Sequence, residues 1–220
     1  MRAMLVMFLA GAVAPVAAVE IDGRLEPGEW AEAQRIDDFR LTQPLSRAPA
    51  PYQTEAWILS TAEGLAIAFR NAQPAEVTRT RQRAQRDDMG PVDRVNLMVD
   101  FDADGRTGYN FTVSLGGGIS DEVITNENNF NSDWDGNWRH AVAEDEQGWT
   151  AELLIPWHIA PMRDGVDGKR TVAINLDRVI GSTGERVAWP AVSFTEPRYL
   201  SSFTKVVLPA YSQSLLAITP

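Results

Sequence analysis

Length, composition and charge exclude several classes of protein. The chain has 220 residues, of which 44% are hydrophobic and 23% charged, a composition typical of a globular domain. It contains no cysteine and only two histidines, so we expect neither a disulfide framework nor a thiolate or multi-histidine metal site. The net charge of −10 argues against binding to a phosphate backbone, and we therefore expect no nucleic-acid partner.

Residues 1–18 have the three parts of a secretory signal. Arg2 supplies the positive charge, residues 3–13 form an apolar run, and residues 16–18 provide a cleavage site after Ala18. The apolar run is shorter than the ~20 residues of a membrane-spanning helix, so cleavage is favoured over anchoring. We therefore expect a protein that is exported, either to the periplasm, to the outer membrane or out of the cell.

From Trp57 onward the apolar residues recur with period two, which predicts half-buried strands. Turn residues separate these segments, as in DADG at 102–105 and GGG at 116–118. The pattern predicts an all-β fold, an antiparallel β-sandwich of the jelly-roll or immunoglobulin-like kind, with one or two short helices, one of them at 27–34. The predicted core-facing residues of the four clearest strands are Val95, Leu97, Val99 and Phe101, then Phe111, Val113 and Leu115, then Trp149, Ala151, Leu153 and Ile155, and finally Val172, Ile174 and Leu176.

Several motifs follow one another in an order that is informative as a set. The opening IDGRLEPGEW contains Asp22, Gly23 and Trp30, with Glu26 before a proline, and VNLMVDFDADG, GWTAELLIPW and VAINLDRVI come later. In this order the motifs resemble the family 9 carbohydrate-binding-module-like domains over residues 21 to about 203. The nearest subgroup is the version found at the N-terminus of bacterial outer-membrane proteins, where a region thought to form a β-barrel follows.

The resemblance implies a division of the chain and a function. Residues 1–18 are the signal peptide, residues 19–205 the sandwich, and residues 206–220 a tail that resembles the start of a barrel region. The implied function is that of an exported, non-catalytic module that binds a polysaccharide or oligosaccharide, linked to O-glycosyl carbohydrate catabolism. An alternative is a periplasmic accessory domain of an outer-membrane protein that acts through protein contacts.

Sugar binding requires flat apolar faces and hydrogen-bonding side chains, and the segment NENNFNSDWDGNW at 126–138 offers both. Trp134 and Trp138 are candidate platforms there, and Trp57 is a third because its neighbours in the strand are the residues expected to point inward. The alternative for Trp138 is a core position, and the polar residues can simply form turns. The candidate polar contacts in this segment are Asn129, Asn131 and Asp135.

Asp100, Asp102 and Asp104, followed by Gly105, repeat the first half of a calcium-binding loop. The twelfth position of such a loop is Phe111 rather than a glutamate, which excludes an EF-hand. A structural Ca²⁺ site completed by distant carbonyls is the remaining metal prediction, and the resemblance also implies it. The alternative is a polar hairpin tip.

The sequence contains no nucleophile elbow, zinc-binding helix or phosphate-binding loop, so an enzyme is not favoured. A pair of carboxylates suited to glycoside hydrolysis would arise by chance among thirty acidic residues. Related sandwiches that hold haem b suggest one further alternative, an electron-transfer domain. Its axial ligands would come from Met98, His140, His158 or Met162, although no spacing supports them.

Overall fold

The computed structural model describes residues 19–82 and 85–211. The predicted signal peptide and residues 212–220 of the predicted tail lie outside this range, as does Arg83. No helix in the described range combines the length and the apolar character needed to cross a bilayer.

Two antiparallel sheets form the described part of the chain, which confirms the predicted all-β sandwich. The smaller sheet has five strands in the order β1-β4-β5-β11-β10. Its strands are β1 (Gln34–Ile36), β4 (Thr54–Ser60), β5 (Gly64–Ala72), β10 (Arg139–Glu144) and β11 (Gly148–Pro156).

The larger sheet has nine strands in the order β3-β2-β13-β12-β6-β7-β8-β9, with β14 also pairing with β12. The long strand β12 connects β14 to the rest of the sheet, because its first half pairs with β14 and its second half with β13. The strands are β2 (Arg40–Gln43), β3 (Leu45–Pro49), β6 (Arg94–Asp100), β7 (Thr107–Ser114), β8 (Ile119–Thr125), β9 (Asn129–Asn131), β12 (Lys169–Ile180), β13 (Glu185–Trp189) and β14 (Thr204–Pro209).

The core lies between the sheets and contains every core-facing residue that the alternation predicted in the four clearest strands. Val95, Leu97 and Val99 of β6 are fully buried there, opposite Trp149 and Leu153 of β11. Burial of apolar area at about 25 cal/mol per Å² makes this interface the main source of stability.

The segment of residues 19–33 packs on the outer face of the five-stranded sheet, where Trp30 joins a small apolar cluster. The fully buried carboxylate of Glu152 holds it in place by accepting hydrogen bonds from the amide nitrogens of Asp22 and Gly23 and from Nε1 of Trp30, at 3.0, 2.8 and 3.2 Å. Gly23 is required here because its φ is +87° and a Cβ would lie 2.7 Å from the carbonyl carbon of Val142.

Two details differ from the sequence prediction. Residues 27–33 form successive turns and bends rather than a helix, since so short a helix has little stability of its own and the side chain of Trp30 is tied to the sheet. The only helix in the described range is the 3₁₀ turn η1 (Leu200–Ser202). The sandwich also continues beyond residue 205, because Val206 and Leu208 of β14 enter the core.

Candidate functional site

The outer face of the nine-stranded sheet carries polar side chains in three transverse rows, which the antiparallel register sets opposite one another. The first row is basic at its β13 and β6 positions. The second row carries short hydrogen-bonding groups beside one alanine, and the third carries two amides and a carboxylate beside one methionine. The rows are Arg186, Val179, Arg94 and Ser114; then Ala188, Asp177, Asn96, Thr112 and Ser120; and then Asn175, Met98, Asn110 and Glu122.

One hydrogen-bond network crosses five strands of this face. Nη1 of Arg186 donates to Asp177 at 2.9 Å, and the other carboxylate oxygen of Asp177 accepts from the amide of Asn96. The hydroxyl of Thr112 donates to Oδ1 of Asn96 at 2.6 Å. Nδ2 of Asn110 completes the network, at 3.3 Å from Oγ1 of Thr112 and 2.7 Å from Oε2 of Glu122.

The network leaves several buried polar atoms without a partner. Asn110 is only 6% exposed, yet its Oδ1 accepts no hydrogen bond in the described part of the chain. Nε of Arg186 likewise donates no hydrogen bond, and Oδ1 of Asn175 accepts none, in the described part of the chain. Buried polar groups in native proteins nearly always have a partner, and a ligand or ordered water can supply the one that these atoms lack in the described chain. Asn71 and Arg178 hold further atoms of this kind elsewhere in the sandwich.

A cleft of about 280 Å³ opens over the rows, close to the lower limit of small-ligand pockets. Its apolar walls are formed by Phe130 of β9, Tyr199 beside η1, and Phe194, whose ring lies 4.8 Å from Cζ of Arg186. The hydroxyl of Tyr199 lies 2.9 Å from the sulfur of Met98, which closes one end of the floor.

The two ends of the cleft differ in charge. Arg94 and Arg186 line one end, while Glu122 lies in the third row, toward the other. Burial lowers the pKa of Arg94, and the nearby charge of Arg186 lowers it further, while the charge of Asp177 opposes this shift. The floor between them offers hydroxyl and amide groups, which can donate to and accept from the hydroxyls of a polyol.

The structure does not gather the aromatic residues predicted for sugar binding into one platform. Trp134 is half-buried and closes the edge of the sandwich, with its ring 5.0 Å from Tyr109 and 6.0 Å from Phe111. Trp138 is 7% exposed and donates from Nε1 to the buried Asp121 at 3.1 Å. Trp138 therefore has the core position that was its alternative.

The polar residues predicted beside these tryptophans lie apart from the cleft. Asn129 and Asn131 are exposed at the two ends of β9, the edge strand, and Oδ1 of Asn131 accepts from the amide of Asp133 at 2.8 Å. Asp135 is exposed and lies 2.7 Å from Nε of Arg86, whose guanidinium also binds Asp121. A sugar-binding role for these three residues stays a prediction.

Trp57 lies on the outer face of the other sheet, as its sequence neighbours predicted. It borders a depression of about 320 Å³ together with Trp30, Glu55 and Arg70. Two of the three charged groups of this depression have partners, since Glu55 is bound by Arg35 and Arg70 lies 3.5 Å from Asp145, and the third, Glu26, is exposed. The depression is thus a second aromatic surface, but one without buried groups that lack a partner.

The acidic turn predicted to bind calcium is a hairpin tip between β6 and β7. The carboxylate of Asp100 accepts from the amides of Asp102 and Gly105, and Asp102 and Asp104 both bind Arg163, whose Nη2 is 2.6 Å from Asp104. Nowhere in residues 19–82 and 85–211 do three or more His, Cys, Asp or Glu residues cluster as a metal site would require. Calcium binding at this turn stays a prediction.

The residues suggested as haem ligands are dispersed. Met98 lies on the outer face of the nine-stranded sheet, whereas His140 belongs to β10 of the other sheet, with its ring 5.4 Å from that of Trp138. His158 is exposed, and Met162 packs on the edge of the core. The core between the sheets is filled with side chains, so no pair of these residues faces a common cavity.

Sequence reasoning missed the cleft, although a signal for it was present. The predicted solvent faces of the central strands carry asparagine, threonine and serine instead of the lysine and glutamate typical of a solvated sheet face. Short side chains of this kind leave space above the sheet and present hydrogen-bonding groups. Their assembly into rows depends on the strand register.

Comparison with known proteins relates this geometry to solved structures. No protein-family model matches the chain, and no curated protein matches it. A family 9 carbohydrate-binding module from Caldicellulosiruptor kristjanssonii in complex with glucose aligns with a TM-score of 0.60 and 12% identity, over 91% of this chain and 96% of that one. A family 9 module from the same organism in complex with cellotriose aligns with a TM-score of 0.61 and 11% identity, over 93% of this chain and 96% of that one.

A protein from Bacteroides uniformis to which carbohydrate binding has been ascribed aligns with a TM-score of 0.61 and 11% identity, over 81% of this chain and 87% of that one. At these identities the likeness concerns the fold alone. The chain therefore has the two-sheet fold of family 9 carbohydrate-binding modules.

Proposed function

We propose that this chain is a non-catalytic carbohydrate-binding module whose ligand lies in the cleft on the nine-stranded sheet. The observation that carries the proposal is the row of short polar side chains on the floor, with a buried Oδ1 of Asn110 that has no partner in residues 19–82 and 85–211. A saccharide hydroxyl can donate to that oxygen while its ring packs against the aromatic walls. Likeness in fold to modules crystallised with glucose and cellotriose supports this choice.

Binding rather than hydrolysis is favoured by the state of the carboxylates around the cleft. Asp177 is 1% exposed and is held by Arg186 and Asn96, so it presents no free oxygen for acid–base chemistry. Glu122 is held by Asn110 at 2.7 Å. The proposal extends to an exported module in the periplasm or outside the cell that serves polysaccharide catabolism, as the N-terminal segment and the family resemblance predict.

Affinity electrophoresis and calorimetry against a panel of soluble polysaccharides test the proposal. Ser120→Leu places a larger side chain in the cleft, because Ser120 lines it and its hydroxyl makes no hydrogen bond in the described chain. Ser182→Leu, in the exposed turn after β12, is the matched control. We expect the wild type and Ser182→Leu to bind, and Ser120→Leu to lose binding while still folded.

A variant of the other aromatic surface separates the two locations. Trp57→Ala should leave saccharide affinity unchanged if the ligand lies in the cleft. Loss of binding in Trp57→Ala with full binding in Ser120→Leu would move the site to the five-stranded sheet. Absence of binding by the wild type across the panel would refute the function itself.

A further inference from the structure

The basic end of the cleft contains an arginine without a carboxylate partner. Arg94 and Arg186 both pair with Val179, from opposite sides, so they lie in one row on either side of β12. Strand spacing sets their Cα atoms roughly 10 Å apart across that row. Arg186 is neutralised by Asp177, with the two groups 18% and 1% exposed. In the described chain Arg94 donates only to the carbonyl oxygens of Gly90 and Val92.

A partly buried guanidinium beside a second arginine is unfavourable unless something compensates its charge. Acidic residues are not scarce, since the chain carries 30 of them and most other described arginines lie beside one. Arg79 and Arg81, for example, both bind Glu144. Among the described arginines without such an ion pair, the buried Arg178 donates to Thr54 and Gln73 inside the protein, whereas Arg94 lines a ligand cleft, where an anion of the ligand can compensate its charge.

The nearest carboxylate on the floor that is not paired with an arginine lies far from this end. Glu122 lies two strands and two rows from Arg94, and the strand spacing and the rise per residue give a separation of roughly 16 Å between their Cα atoms. That distance exceeds the Debye length of about 8 Å at physiological ionic strength, so Glu122 does little to offset the basic end. The floor between them carries the neutral groups of Asn96, Thr112 and Ser120. A further carboxylate of the cleft lining, Asp87, accepts a hydrogen bond from the amide of Asp121.

From this arrangement we infer that the ligand is an acidic saccharide, with an anionic substituent bound by Arg94 and its hydroxyls on the neutral floor. The planar guanidinium can bind the carboxylate of a uronic acid through two parallel hydrogen bonds, and it can bind a sulfate ester through the same donors. The inference rests on the proposed function, because it specifies the ligand class of the same cleft.

The experiment compares three probes in calorimetry: oligogalacturonate, a sulfated glucan oligosaccharide and a neutral cello-oligosaccharide. A charge-assisted hydrogen bond predicts at least about 10-fold tighter binding of an acidic probe than of the neutral one. Arg94→Gln should abolish this preference while it still binds the neutral probe, which shows that this variant folds, and Arg94→Lys should retain part of the preference. Arg106→Gln removes the same charge from a side chain that is 83% exposed at the β6–β7 turn, so the preference should persist.

The outcomes separate the two levels of the argument. A preference for either acidic probe that Arg94→Gln removes and Arg106→Gln keeps supports the inference, and the better acidic probe identifies the anion. Equal affinity for acidic and neutral probes, or a preference that survives Arg94→Gln, overturns it and leaves the proposed function standing. Failure of the wild type to bind any probe of the wider polysaccharide panel would overturn both.

Discussion

Thr112→Val is the sharpest test of the network that forms the floor of the cleft. Thr112 is 3% exposed, and its hydroxyl donates to Oδ1 of Asn96 at 2.6 Å while accepting from Nδ2 of Asn110 at 3.3 Å. Valine has nearly the same shape and suits a strand, so the substitution removes the hydroxyl with little change in packing.

The magnitude follows from the partners that remain. Asn110 keeps its shorter bond to Glu122, so it loses only the weaker of two contacts. Oδ1 of Asn96 loses its hydrogen bond in a side chain that is 5% exposed, and an unsatisfied buried acceptor costs about 1–3 kcal/mol. We expect the free energy of unfolding to fall by about 2 kcal/mol, which for a domain of this size lowers Tm by roughly 4–8 °C.

Urea and thermal unfolding of Thr112→Val and Thr171→Val measure this difference. Thr171 lies on β12 of the same sheet, is exposed and makes no side-chain hydrogen bond in the described chain, so its variant should stay within about 0.5 kcal/mol of the wild type. Saccharide affinity should fall in Thr112→Val alone, because Asn96 and Asn110 lose the group that orients them. Equal stability of the two variants would refute the network.

Two further predictions concern the segment that covers the five-stranded sheet. Gly23→Ala should destabilise the fold by at least about 1–2 kcal/mol, because alanine is strained in the left-handed conformation and its Cβ would clash with Val142. Gly28→Ala, which has open space around it, should not destabilise the fold, and urea unfolding midpoints of the two variants measure the difference. Burial raises the pKa of Glu152 above its ordinary value of 4.5, and the hydrogen bonds from Gly23, Asp22 and Trp30 oppose this shift. The contribution of Glu152 to stability is therefore full below pH 4.5 and declines as the pH rises through the folded pKa. Glu152→Gln should have a lower free energy of unfolding than the wild type, and the difference should narrow as the pH rises above 4.5. A difference that widens in urea unfolding over the same pH range would contradict a raised pKa of Glu152.

The core was predictable from the sequence because inward and outward positions alternate along each strand. Val95, Leu97 and Val99 identify their face without reference to any other strand. The tail shows the same rule, since Val206 and Leu208 alternate with Lys205 and Val207 and enter the core. The family resemblance points to a new region from residue 206, whereas the alternation of Val206 and Leu208 indicates a core strand at its start. The turns at 27–33 could not be predicted from their own residues, because Trp30 is bound by Glu152 from a distant part of the chain.

The candidate site required information that alternation does not contain. Asp177, Asn96 and Thr112 belong to strands whose order in the sheet differs from their order in the chain, and only the register of β12 against β6 and of β6 against β7 sets them in one row. A shift of one residue in either pairing would turn one strand's polar groups to the opposite face of the sheet. The core enforces the register, since the same shift would expose Leu97 and Leu176. The apolar residues between the sheets thus determine the positions of the polar groups outside them, and conservative changes on the cleft floor should alter binding with modest cost to the fold.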